Sequence, residues 1–219
     1  MQLNRLIDHT LLRANAREKD ILQLCQEAQD YNFYSVCIHS KWLNLCTNEL
    51  KYSDTLPITV IGFPLGVSSL KFKQKECEEA LKFGAQEIDM VLDLAPVFEA
   101  EWKKVEHEIK SIVQLCDEIP VKVIIETAYL NQTEIAECSK CCDFGKAAFV
   151  KTSTGFAPTG AKEEDILTIK KNCGPLQIKA SGGIKNYKDA QKMIDAGATR
   201  IGSSASVSIL NEWKAFNKL

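Results

Sequence analysis

The stretch Leu6-Ile7-Asp8-His9-Thr10-Leu11-Leu12-Arg13-Ala14-Asn15 decides the fold. Its first half, Leu6–Thr10, reads as a short strand. Its second half is the turn that follows. In an open doubly wound sheet that first turn carries a Gly-x-Gly-x-x-Gly fingerprint, because the backbone must approach a bound pyrophosphate closely. No glycine occurs here. The alternative built from the same strand and helix units is the closed (β/α)8 barrel.

Working outward, seven more strand-like runs follow: Ser35–His39, Ile58–Phe63, Glu87–Leu92, Val121–Glu126, Phe149–Ser153, Gln177–Ala180 and Thr199–Gly202. They recur every 20 to 35 residues or so, roughly the length of a βαβ crossover. Runs such as Val123-Ile124-Ile125 are apolar without alternation, as expected of parallel strands covered on both faces. Between them lie amphipathic helical stretches. Ile21, Leu22, Leu24, Cys25 and Ala28 share one face, as do Phe98, Trp102, Val105, Ile109, Ile112 and Val113. Asn131 with Glu134, and Asn186 with Asp189, read as N-caps. Gly84, Gly145 and Gly197 stand where a left-handed residue would end a helix before a strand. The expected architecture is a single α/β domain over residues 1–219, a (β/α)8 TIM barrel.

Composition narrows the function. The 219 residues carry a net charge of −2, with Lys and Arg scattered, so no nucleic-acid footprint and no basic membrane patch is expected. No apolar run is long enough to cross a bilayer, and no leader pattern opens the chain. A soluble, cytoplasmic protein is expected. Nine cysteines at irregular spacing form no disulfide framework and read as reduced core residues. Cys138, Cys141 and Cys142 cluster within a helical stretch, without the further ligands that a structural metal site needs.

Two lysines stand out. Lys151, in Phe149-Val150-Lys151-Thr152-Ser153-Thr154-Gly155, and Lys179, in Ile178-Lys179-Ala180-Ser181-Gly182-Gly183-Ile184, lie in or at the end of buried strands. Desolvating an ammonium is costly, so lysine is almost never buried without a partner. Two inward lysines on neighbouring strands repel, lowering each other's pKa and making an amine nucleophilic near neutral pH. The strand ends that would meet at the barrel mouth also offer Asp8, His9, Cys37, His39, Asp89 and Glu126. An amine, a second cation and a carboxylate suit imine formation followed by proton transfer at carbon. A lysine paired with Asp89 or Asp8 for structural reasons is the simpler reading of either lysine alone. Glu126 is expected to anchor a lysine, and Cys37 to be strand core. His9 and His39 are isolated and form no metal triad. The turns Ser181-Gly182-Gly183 and Gly202-Ser203-Ser204, with Thr154-Gly155, would form a backbone nest for a phosphate.

These residues resemble one family nearly end to end, the deoxyribose-phosphate aldolases among the class I aldolases. The likeness runs through Ile7-Asp8-His9-Thr10-Leu11-Leu12, Val36-Cys37-Ile38, Thr59–Gly66, Glu87–Val91, Lys122–Thr127, both lysine motifs and Ala198–Gly202. It implies an aldehyde-lyase that reversibly cleaves 2-deoxy-D-ribose 5-phosphate to D-glyceraldehyde 3-phosphate and acetaldehyde, in deoxyribose phosphate catabolism. It implies no metal and no organic cofactor. Lys151 would match the Schiff-base lysine, Lys179 the lysine that depresses its pKa, and Asp89 the proton-relaying carboxylate. Gly155, Gly182, Gly183 and Ser204, with Thr154 beside them, would take the phosphate. The chain departs from the family at Val67-Ser68-Ser69-Leu70-Lys71, at Phe156–Gly160, at Ala205 and in its closing Asn217-Lys218-Leu219. The expected partners are a small phosphorylated sugar and further copies of the chain, as a homodimer or higher homo-oligomer. A different Schiff-base aldolase, or a non-catalytic barrel binding sugar phosphates, are the alternatives.

Overall fold

A computed structural model describes residues 2–217; Met1, Lys218 and Leu219 of the expected domain, and with them the end of the closing tail, lie outside the described residues. Eight parallel strands close into one barrel in chain order: β1 (Ile7–Leu11), β2 (Ser35–Ile38), β3 (Leu56–Ile61), β4 (Glu87–Val91), β5 (Val121–Ile124), β6 (Phe149–Lys151), β7 (Gln177–Ser181) and β8 (Arg200–Ser203). All eight expected strands form, with ends shifted by at most a few residues. Around them run α1 (Glu18–Asp30), α2 (Leu43–Glu49), α3 (Leu70–Lys82), α4 (Ala95–Phe98), α5 (Trp102–Cys116), α6 (Gln132–Phe144), α7 (Glu163–Asn172), α8 (Tyr187–Ala196) and α9 (Ser206–Asn217). No helix among the described residues is long and apolar enough to cross a membrane.

The main core lies between strands and helices. The outward side chains of the strands, such as Ile7, Val36, Ile88, Val123 and Ile201, pack on Ile21, Leu24, Ile109, Ile135, Ile166 and Ile209 of the helices. All nine cysteines are buried and unpaired by disulfides, and those of the Cys138-Cys141-Cys142 cluster belong to this core. The barrel interior is divided. Cys37, Ile58 and Val60 of β2 and β3 form an apolar patch with Leu12. The rest of the interior, from β4 round to β1, carries buried charge.

Two local expectations need correction. The helix read through Phe98 and Trp102 is two helices: Ala100 turns into the left-handed region at φ 53°, so Phe98 ends α4 and is exposed, while Trp102 opens α5. Gly145 is not the left-handed cap of α6. It sits at φ −74°, and Lys146 takes the left-handed turn at φ 62°. The glycine is needed for space, because a Cβ there would lie 2.5 Å from Ile109 Cγ2. Gly84 and Gly197 do adopt positive φ. A buried pair also escapes a sequence reading: Lys73 on α3 donates to Val91 O (2.9 Å) and meets Glu108 Oε1 on α5 (2.5 Å). Glu108 Oε2 accepts from Asp93 N. These bonds tie two helices to the end of β4, the strand that carries Asp89.

Candidate active site

Register sets the central geometry. Lys151 pairs with Lys179 across β6 and β7, so the two lysines are neighbours as expected. Asp89 stands on β4, beside Lys122 of β5. Because side chains alternate along a strand, Glu87 and Asp89 both face inward. Asp89 Oδ2 accepts from Lys151 Nζ and from Lys179 Nζ, each at 2.7 Å. Its Oδ1 accepts from Lys122 Nζ at 2.8 Å. Lys179 Nζ also lies 2.5 Å from Asp8 Oδ2. Asp8 Oδ1 accepts from the Ser35 hydroxyl (2.7 Å) and from Arg200 Nη1 (2.9 Å).

The electrostatic outcome differs from the expected one. Burial lowers Lys151, the charge of Lys179 lowers it further, and together they outweigh the attraction of Asp89; its pKa falls below the usual lysine range. Burial also works against a charged Lys179, but Asp8 and Asp89 flank it and raise its pKa instead. The lysines therefore do not depress each other symmetrically: only Lys151 shifts toward the free amine. Burial tends to raise Asp89, yet Lys122, Lys151 and Lys179 hold it well below the usual carboxylate range.

A cavity of about 770 Å³ opens at the C-terminal end of the barrel. Of the buried lysines and arginine on the strands, Lys151 alone lines it, with His9 of β1 also in the wall; Lys122, Lys179 and Arg200 lie beneath. Gly155, Gly182, Gly183, Ser203 and Ser204 line the same cavity, and α9 begins just beyond at Ser206. Gly155, Gly182 and Gly183 have φ of +87°, +86° and +76°, a conformation that points backbone N–H groups together and disfavours other residues. A Cβ on Gly183 would meet no atom within 4 Å, so this turn faces open space. Lys185, which sequence reading passed over, adds a cation to the lining.

Other candidates take different roles from those expected. Thr154 lines the cavity, but its hydroxyl and its N–H both bond Glu126, and its Oγ1 accepts from Phe156 N. Glu126 thus anchors the loop after β6 and not a lysine. Burial raises its pKa. Cys37 is core, as expected, but its side chain faces the charged wall; burial pushes its thiol up to about 11, against the nearby Lys179. His9 Nε2 pairs with Glu27 at 2.8 Å, and burial keeps its pKa below the ordinary value. His39 bonds Leu12 O, and His107 is exposed. No cluster of three or more metal-ligating His, Cys, Asp or Glu occurs among the described residues.

Residues 4–215 match the family model described as DeoC/LacD family aldolase. A curated relative, the deoxyribose-phosphate aldolase of Caldanaerobacter subterraneus subsp. tengcongensis, is 46% identical over 221 residues, 98% of this chain and 94% of that protein. Among solved structures, QR15, described as an aldolase, is similar with a TM-score of 0.93 and 36% identity, over 98% of this chain and 97% of that one. The deoxyribose phosphate aldolase of Aeropyrum pernix, described as a tetramer, gives a TM-score of 0.91 at 31% identity, over 98% and 92% of the two chains.

Proposed function

The chain belongs to the DeoC/LacD aldolase family, and on that premise we propose that it is a deoxyribose-phosphate aldolase, cleaving 2-deoxy-D-ribose 5-phosphate reversibly to D-glyceraldehyde 3-phosphate and acetaldehyde. The observation that supports the assignment of roles is that, of the two strand lysines, Lys151 is the one that lines the cavity and the one shifted toward its neutral amine.

Neutral Lys151 attacks the open-chain aldehyde of the sugar. Loss of water from the carbinolamine leaves an iminium, an electron sink beside the bond to be broken. The C2–C3 bond then cleaves, the C3 hydroxyl gives up its proton, and an enamine stays on Lys151. Protonation of that enamine at carbon and hydrolysis release acetaldehyde. Asp89 touches both Lys151 and Lys179 through one oxygen. That shared oxygen supports a role in passing protons between the reacting nitrogen and Lys179, with a water completing the path. The substrate phosphate rests on Gly155, Gly182, Gly183 and Ser204, with Lys185 and the N-terminus of α9 favouring its charge. Thr154 supports that wall through Glu126. The protein works in the cytoplasm and as a homo-oligomer; the tetrameric Aeropyrum relative supports the second of these readings.

The test compares two phosphorylated sugars. Purified protein should cleave 2-deoxyribose 5-phosphate with release of acetaldehyde and leave fructose 1,6-bisphosphate intact. Preference for the bisphosphate would assign a different Schiff-base aldolase, and cleavage of neither would support a binding role.

A further inference from the structure

The buried ion pairs beneath the cavity close on themselves. Arg200 Nη1 bonds Glu87 Oε2 (3.1 Å); Glu87 Oε2 meets Lys122 Nζ (2.5 Å); Lys122 meets Asp89; Asp89 meets Lys179; Lys179 meets Asp8; and Asp8 Oδ1 returns to Arg200 at 2.9 Å. Three carboxylates and three bases alternate around this loop, each base lying between two carboxylates and each carboxylate between two bases. The set is neutral in itself. Lys151 hangs outside it, sharing the Asp89 oxygen that Lys179 already holds.

We infer that Arg200 and Glu87, neither of which lines the cavity, are positioning residues that set the protonation state of Lys151 by closing this neutral ring. A buried charge is tolerated where an opposite charge compensates it. Every carboxylate in the ring is already matched, so an ammonium at position 151 would be uncompensated, and the free amine is favoured. The inference uses the Proposed function only for why a free amine matters; the charge count stands without it. The other groups acting on Lys151 are Asp89 and Lys179 at its nitrogen, Cys37 from β2, and Glu126 after β5. The Cys37 thiol is held neutral by burial, and Glu126 is bonded to Thr154. Arg200 suits a permanent cation in this place: its guanidinium stacks 3.5 Å from the Tyr34 ring centroid and cannot lose its proton near neutral pH.

The experiment reads position 151 directly. Protein labelled with 13C-lysine is titrated by NMR, following the Lys151 Cε resonance, which is assigned by its absence in Lys151→Ala. Arg200→Met leaves one carboxylate unmatched and should raise the Lys151 midpoint by about one pH unit, an order of magnitude for a unit charge in a protein interior. Glu87→Gln leaves one cation in excess and should lower it by a similar amount. The double variant should return toward the parent value, as should Arg200→Lys. A purely structural role would not give shifts of opposite sign that cancel. Should Arg200→Met not fold, Glu87→Gln and Arg200→Lys carry the test alone. Midpoints unmoved, or moved in the same direction by both substitutions, overturn the inference. Failure of acetaldehyde to react at Lys151 while the midpoints shift as stated would instead count against the aldolase reading.

Discussion

At the scale of single residues, the site depends on an asymmetry between two lysines whose local sequence does not separate them: both are buried strand residues followed by small and hydroxyl residues. Lys179 lies between two carboxylates, whereas Lys151 shares one oxygen of Asp89. Lys151→Ala should therefore abolish cleavage, and Lys179→Leu should both slow it and raise the pKa of Lys151, read as an upward shift of the pH–rate midpoint. In the parent protein that midpoint should fall below the usual lysine value, with activity rising as pH increases through it, because the reactive form is the unprotonated amine. Asp89→Asn removes the carboxylate shared by the Lys122 and Lys179 ammonium groups and the Lys151 amine. Loss of one partner from a buried pair typically costs about 3–5 kcal/mol, so urea unfolding should show a loss of that order beside the loss of activity. A variant as stable as the parent would mean that these amines are already neutral.

At the scale of elements, loops and helix ends place the cavity wall. Gly145→Ala would drive a methyl group against Ile109 on α5 and should cost roughly 1–3 kcal/mol, the usual range for overpacking; thermal unfolding checks it, and cleavage kinetics at a temperature where the variant is folded should stay near the parent's. The strands themselves were legible in the sequence because each is an apolar run bounded by turn residues. A charged residue inside such a run is also a visible signal, and it marked Lys151, Lys179 and Asp89. The same signal was present at Glu87, Lys122 and Arg200, which were passed over because they lie deeper in their strands and away from the mouth. What sequence could not supply was backbone direction in loops. Ala100 and Lys146, not glycines, take left-handed turns, while Gly145 is held against Ile109 of α5. The bond between Glu126 and Thr154 likewise depends on loops separated by 28 residues in the chain.

At the scale of the whole molecule, part of the barrel interior is apolar and the rest charged, so stability and activity draw on the same interior. Asp8 and Asp89 have folded-state pKa values below their unfolded ones. Burial opposes this in both, and their cationic neighbours prevail. Their contribution is therefore fully present above the unfolded carboxylate pKa, near pH 4, and is lost as pH falls toward the folded values. Urea unfolding should show a decline in free energy below about pH 4, shallower in Asp8→Asn, beyond the earlier decline that His9, with its folded pKa also lowered, gives as pH falls through about 6.5. A flat profile down to pH 3 would show that the ion pairs add nothing. The whole arrangement serves one free amine at the cavity floor. Its most direct test is to incubate the protein with acetaldehyde and borohydride, then map the modified peptide. The expected result is a single N-ethyl group on Lys151; label on Lys179, Lys185 or another lysine, with Lys151 untouched, would contradict it.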